Sequence, residues 1–119
     1  MKILIVDDDE GFLHDMQCIT VQGCEIATLQ VSKAEQTHQS AGEVVQQIRA
    51  HNPDLIFLDE DMEGIYGQEV AAQLNFPREK VVGTSSTHEQ PYVGRRFGKH
   101  RAKVRLPEFL LTYQTTARC

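Results

Sequence analysis

Asp54-Leu-Ile-Phe-Leu-Asp59-Glu-Asp61 sets four apolar residues in a row and ends them on acids. A run this short, apolar at every position and fronted by the helix-stopping pair Asn52-Pro53, reads as a strand buried on both faces. The N-terminus has the same form. Ile3-Leu-Ile-Val6 is apolar throughout and runs straight into Asp7-Asp8-Asp9. Two buried strands that both finish on clustered carboxylates are the feature from which the rest of the chain can be read.

Between and after them, helix-like segments alternate with further short strands. Phe12, Leu13, Met16, Ile19 and Thr20 recur at helical spacing. Glu25–Val31 is a weaker second strand. Ser40-Ala-Gly-Glu43 has the form of a capping box and leads into Val44, Val45 and Ile48 on one helical face. Gly64 and Gly67 mark a loop, and Val70, Ala71 and Leu74 predict a short helix. Lys80–Thr84 reads as strand four and Ala102–Leu106 as strand five. Pro107 then opens a last helix carrying Phe109, Leu110, Leu111 and Tyr113. Strand–helix alternation of this kind predicts an α/β fold, a doubly wound five-stranded parallel sheet with helices on both faces.

Composition fits that reading. The 119 residues suit one domain, 1–119, and 40% hydrophobic content is enough for its core. Cys18, Cys24 and Cys119 are odd in number and irregularly spaced, which points to reduced thiols and a cytoplasmic setting. The N-terminal apolar run is too short for a signal peptide or a membrane span. The net charge of −5 is unevenly spread: residues 1–77 hold 14 Asp/Glu against 3 Lys/Arg, and residues 78–119 hold 9 Lys/Arg against 3 Asp/Glu. Arg95, Arg96, Arg101 and Arg105 lie in the basic part. They offer an acidic protein surface a docking patch; Tyr92 and Phe97 are too few stacking aromatics for a nucleic-acid surface.

In open parallel sheets, ligands sit beyond the carboxyl ends of the strands. Asp7–Asp9 and Asp59–Asp61 both fall there, on one edge. Carboxylates gathered at one edge repel each other, and a hard divalent cation such as Mg²⁺ relieves the repulsion. The same cation neutralises charge on an incoming phosphoryl group, and a carboxylate beside it can act as nucleophile. The plainer account is helix capping, which Asp8 or Asp9 could perform alone; it does not explain two converging acid clusters.

Ile3-Leu-Ile-Val-Asp7-Asp8-Asp9 and Pro53-Asp-Leu-Ile-Phe-Leu-Asp59, followed by Met62 and Gly67, resemble the receiver domains of bacterial two-component response regulators. Glu63 stands where that family has proline. The resemblance implies a flavodoxin-like receiver fold. It makes Asp59 the phosphoacceptor for a histidine kinase or phosphotransfer protein. Asp7, Asp8, Asp59 and the backbone carbonyl of Asp61 would hold Mg²⁺. A hydroxyl at the end of strand four would bond the phosphoryl group: Ser85, with Thr84 the alternative. A lysine at the end of strand five would do the same: Lys103, with Lys99 the alternative. His100 then stands where the family often has a switching aromatic. No attached output domain is expected within this length. The resemblance thus implies a signalling domain that acts by docking or phosphorelay. It would perform Mg²⁺-dependent self-phosphorylation and self-dephosphorylation only, without being a turnover enzyme. Two rivals remain. One is a pseudo-receiver that binds partners without phosphorylation. The other is an aspartate-nucleophile phosphatase, since Asp59-x-Asp61 resembles the nucleophile motif of haloacid-dehalogenase-type enzymes.

Overall fold

The computed structural model describes residues 1–31, 40–62, 65–85, 99–102 and 106–111. Strands β1 (Lys2–Asp7), β2 (Glu25–Gln30), β3 (Leu55–Asp59), β4 (Val81–Ser85) and β5 (Lys99–Ala102) form one sheet in the order β2-β1-β3-β4-β5. Every neighbouring pair is parallel. Helices α1 (Glu10–Gln17), α2 (Ala41–His51), α3 (Gly67–Leu74) and α4 (Leu106–Leu111) occupy its two faces. The α/β doubly wound sheet expected from the sequence is the fold observed.

Alternation along the strands decides which helix packs where. Leu4, Val6, Ile56, Leu58 and Val81 form one core with Val44, Val45 and Ile48 of α2 and Val70, Ala71 and Leu74 of α3. Ile3, Ile5, Leu55, Phe57 and Val82 face the other way, onto Leu13 and Met16 of α1 and Leu106 and Leu110 of α4. The central strands are therefore apolar at every position because both faces are covered.

Local signals set the helix ends. The Ser40 side chain accepts from the Glu43 N–H at 3.2 Å, one of the two bonds of a capping box. Asn52 and Asn75 close α2 and α3 in the left-handed region, at φ of 50° and 56°. One Arg49 nitrogen donates to the carbonyls of Gln73 and Leu74 at 3.3 and 3.2 Å, which caps α3 from α2 and locks the two helices together.

Strand five needs correction. The sequence reading put it at Ala102–Leu106, but β5 is Lys99–Ala102 and Leu106 already belongs to α4. The alternating Ala102-Lys-Val-Arg-Leu106 imitates a half-buried strand. Leu106 and Leu110, four residues apart and both fully buried, instead form one helical face on the core, with Pro107 tolerated in the first turn.

Candidate functional site

The chain passes from β1 outward to β2, then returns to β3 on the other side of β1. The helices leaving β1 and β3 diverge to opposite faces, and a crevice opens between the two strand ends. Asp7 and Asp59 stand at that switch point, directly after the paired Val6 and Leu58. They are 0% and 3% exposed. Asp8 follows Asp7 and is half-buried. Carboxylate oxygens of Asp7, Asp8 and Asp59 all lie within 4.8 Å of one another. The structure thus gathers three of the four residues expected to hold a metal.

The donor set fits Mg²⁺. Two oxygens on one such ion, at about 2.1 Å each, are about 3 Å apart when adjacent and about 4 Å apart when opposite. Oxygens that all lie within 4.8 Å of one another are close to that spacing. Three hard, anionic oxygen donors exclude a preference for soft metals.

Asp9 does something different. It is exposed and is the N-cap of α1, its side chain accepting from the Phe12 N–H at 3.2 Å. Its own N–H donates to Asp7 Oδ1 at 2.9 Å. The capping role that the sequence left open between Asp8 and Asp9 therefore falls to Asp9, and Asp8 is left to the cluster. Asp61 has an exposed side chain outside the cluster; the expectation for it concerns its backbone carbonyl.

The backbone of Glu60, immediately after Asp59, is held from two sides. The Glu60 N–H donates to the Thr84 carbonyl at 3.0 Å, and the Gly67 N–H donates to the Glu60 carbonyl at 2.8 Å. A Cβ at residue 67 would collide with the Asp59 carbonyl oxygen and come within 3.0 Å of Glu60 Cα. Gly67 is thus where α3 touches the backbone of the candidate nucleophile, which the sequence reading had seen only as a loop marker and a motif match. Asp61 and Tyr66 bridge the intervening loop.

Thr84 pairs in register with Asp59 and is 1% exposed. Paired residues of parallel strands point to the same face, so Thr84 lies beside Asp59. Ser85, the preferred hydroxyl, ends β4 one residue further on; its side chain is outside the described part of the structure. Lys99 begins β5, opposite Val82, at the end of the strand remote from the acids. Lys103 immediately follows Ala102, the last residue of β5, and itself lies outside the described residues. So do Arg95, Arg96 and Arg105; Arg101 is placed in β5 by its backbone alone.

No protein-family model matches the chain. No curated protein matches it either. Solved structures do. The BeF3-activated N-terminal receiver domain of Klebsiella pneumoniae RstA aligns with a TM-score of 0.70 and 17% identity over 98% of this chain and 97% of that one. A CheY-like response regulator receiver domain from Methanospirillum hungatei aligns at 0.70 and 21% identity, over 97% and 90%. The Thermotoga maritima response regulator TrrA, in complex with Mg²⁺-BeF, aligns at 0.64 and 23% identity, over 85% and 84%. A parallel sheet in this order, with acids at its switch point, is a flavodoxin-like α/β domain. Within that class, the chain has the fold of response-regulator receiver domains.

Proposed function

We propose that the chain is a phosphoacceptor signalling domain that takes a phosphoryl group on Asp59 from a histidine kinase or phosphotransfer protein. The observation that carries this reading is the convergence of Asp7, Asp8 and Asp59 within 4.8 Å, with Asp59 almost wholly buried at a strand end. Capping does not account for it, because Asp9 already caps α1.

Asp7, Asp8, Asp59 and the carbonyl of Asp61 would hold Mg²⁺. Bound there, the ion would neutralise charge on the transferring phosphoryl oxygens. The chain's own residues do the rest. An Asp59 oxygen attacks phosphorus, an O–P bond forms, and the P–N bond to the donor imidazole breaks. The imidazole nitrogen leaves with the electron pair. Burial of Asp59 limits water access to the acyl-phosphate that results. A hydroxyl of Ser85 or Thr84 and the ammonium of Lys103 would bond the phosphoryl oxygens. Self-phosphorylation from a small phosphodonor and self-dephosphorylation would be the chain's only chemistry. Output would come through phosphorelay or through docking of an acidic protein on Arg95, Arg96, Arg101 and Arg105. Among the described residues no helix is long and apolar enough to cross a membrane.

Intact mass after incubation with acetyl phosphate and Mg²⁺ tests the reading. One phosphoryl group, about 80 Da, is expected on the wild type and none on Asp59→Asn. Equal labelling of Asp59→Asn would remove Asp59 from its role. No labelling of the wild type would leave a pseudo-receiver, and multiple turnover of an aryl phosphate would favour a phosphatase.

A further inference from the structure

We infer that Asp9, the third acid of the run, is a positioning residue for the metal site and not a ligand to it. The inference rests on the proposed site of Asp7, Asp8 and Asp59. It deepens that reading by separating the acid that builds the site from the acids that form it.

Three bonds fix Asp9 in place. Its side-chain oxygen accepts from the Phe12 N–H at 3.2 Å, and its carbonyl accepts from the Leu13 N–H at 3.1 Å. These hold residue 9 in extended geometry, φ −89° and ψ 104°, at the threshold of α1. In that geometry its own N–H reaches back to Asp7 Oδ1 at 2.9 Å. A hydrogen bond from a backbone N–H to a carboxylate is charge-assisted and directional. Asp7 is fully buried, and this bond ties one of its carboxylate oxygens to the start of α1. The helix therefore anchors the cap residue, and the cap residue orients Asp7.

The anchor itself is secure. Leu13 and Met16, 5% and 3% exposed, pin α1 to the sheet through Ile3 and Ile5. Loss of the cap should therefore loosen the first turn of α1 without unfolding the domain. Asp9 is exposed and its carboxylate is engaged with Phe12, so a second function as a ligand would require it to abandon the cap.

Two substitutions separate the roles. Asp9→Ser removes the charge and keeps a capping oxygen; Asp9→Ala removes both. Calorimetric titration of the full chain with Mg²⁺ should show Asp9→Ser within about twofold of wild type, since the lost charge is exposed and screened. Asp9→Ala should bind about fivefold more weakly, because the loosened first turn must be re-ordered before Asp7 is correctly presented. Equal weakening of both variants would make the carboxylate itself a ligand and overturn the proposal. Equal affinity in all three proteins would overturn it too.

A metal-free measurement decides the matter independently. Hydrogen exchange at the residue-9 amide should be slow in the wild type and in Asp9→Ser, and clearly faster in Asp9→Ala. Unchanged protection in Asp9→Ala would show that the cap does not hold the bond to Asp7. A wild type that takes up no Mg²⁺ would defeat the proposed metal site, and the exchange data would still decide whether Asp9 orients Asp7.

Discussion

Gly67→Ala should cost stability where the same change in most helices adds it. Replacing a helical glycine with alanine ordinarily gains up to about 1 kcal/mol. Here the new methyl would sit on the Asp59 carbonyl oxygen, 3.0 Å from Glu60 Cα and 3.1 Å from the Asp59 carbonyl carbon. All three obstacles are backbone, so no side chain can rotate away. Relief requires α3 to retreat, which breaks the 2.8 Å bond from the Gly67 N–H to the Glu60 carbonyl. It also lifts Val70, Ala71 and Leu74 from a core in which they are 0%, 8% and 2% exposed. Overpacking costs about 1–3 kcal/mol and the lost bond about 1 kcal/mol. Set against the gain in propensity, the net loss is about 2 kcal/mol, or about 8 °C in melting temperature for a domain this size.

Thermal denaturation measures that loss directly, with Gly42→Ala as its control. Gly42 also lies in the first turn of its helix, yet a Cβ there comes no nearer than 3.7 Å to Gln73 Oε1, an ordinary contact. Gly42→Ala should be neutral or stabilising. The collision at residue 67 falls on the backbone of Asp59 itself, so labelling by acetyl phosphate should also slow, by at least about tenfold, well below the variant's midpoint. A Gly67→Ala protein as stable as wild type and labelled at the same rate would refute the close-approach argument.

Asp8→Ala should lose the rise in melting temperature that Mg²⁺ gives the wild type, read by thermal shift across a Mg²⁺ series. Its metal-free midpoint should be unchanged or higher. Carboxylates within 4.8 Å of one another repel by about 3 kcal/mol or more at an effective dielectric near 20, reduced to about 1 kcal/mol by the partial exposure of Asp8. Ser40→Ala should destabilise the chain by about 1 kcal/mol in denaturant titration, because Ser40 caps α2 through Glu43, and should leave phosphoryl labelling unaffected.

The strands that place the site were legible because burial on both faces leaves a plain mark. Ile3–Val6 and Leu55–Leu58 are apolar at every position, and each runs straight into its acids. The helix ends were legible where a side chain does the capping, as at Ser40. Three things were not. Strand five was misplaced because Lys99-His-Arg-Ala102 carries no apolar pattern and takes its place from pairing with β4, while Ala102–Leu106 carries a false one. Which of Asp8 and Asp9 caps α1 was hidden because adjacent acids look alike until backbone geometry distinguishes a cap from a cluster. The contact at Gly67 was hidden because it joins α3 to β3 through space, and a glycine in a loop-like stretch has many possible reasons.

The strongest argument for function is that the site gathers like charge where the fold alone has no need of it. Three carboxylates within 4.8 Å repel one another, and Asp7 and Asp59 are almost wholly withdrawn from water. A sheet edge serving only to start helices would need one capping oxygen, which Asp9 provides from an exposed position. Asparagine at residues 7, 8 or 59 would keep polarity and shape there without the repulsion. The surrounding backbone nevertheless holds the acids in place, through the Asp9 N–H on Asp7 and the glycine-sized gap at 67 beside Asp59. Local choices that oppose stability and are held by neighbouring structure mark functional sites. A divalent cation is the ligand whose charge would turn this arrangement from a cost into an attraction, and only with it in place could an anionic phosphoryl group approach the acids.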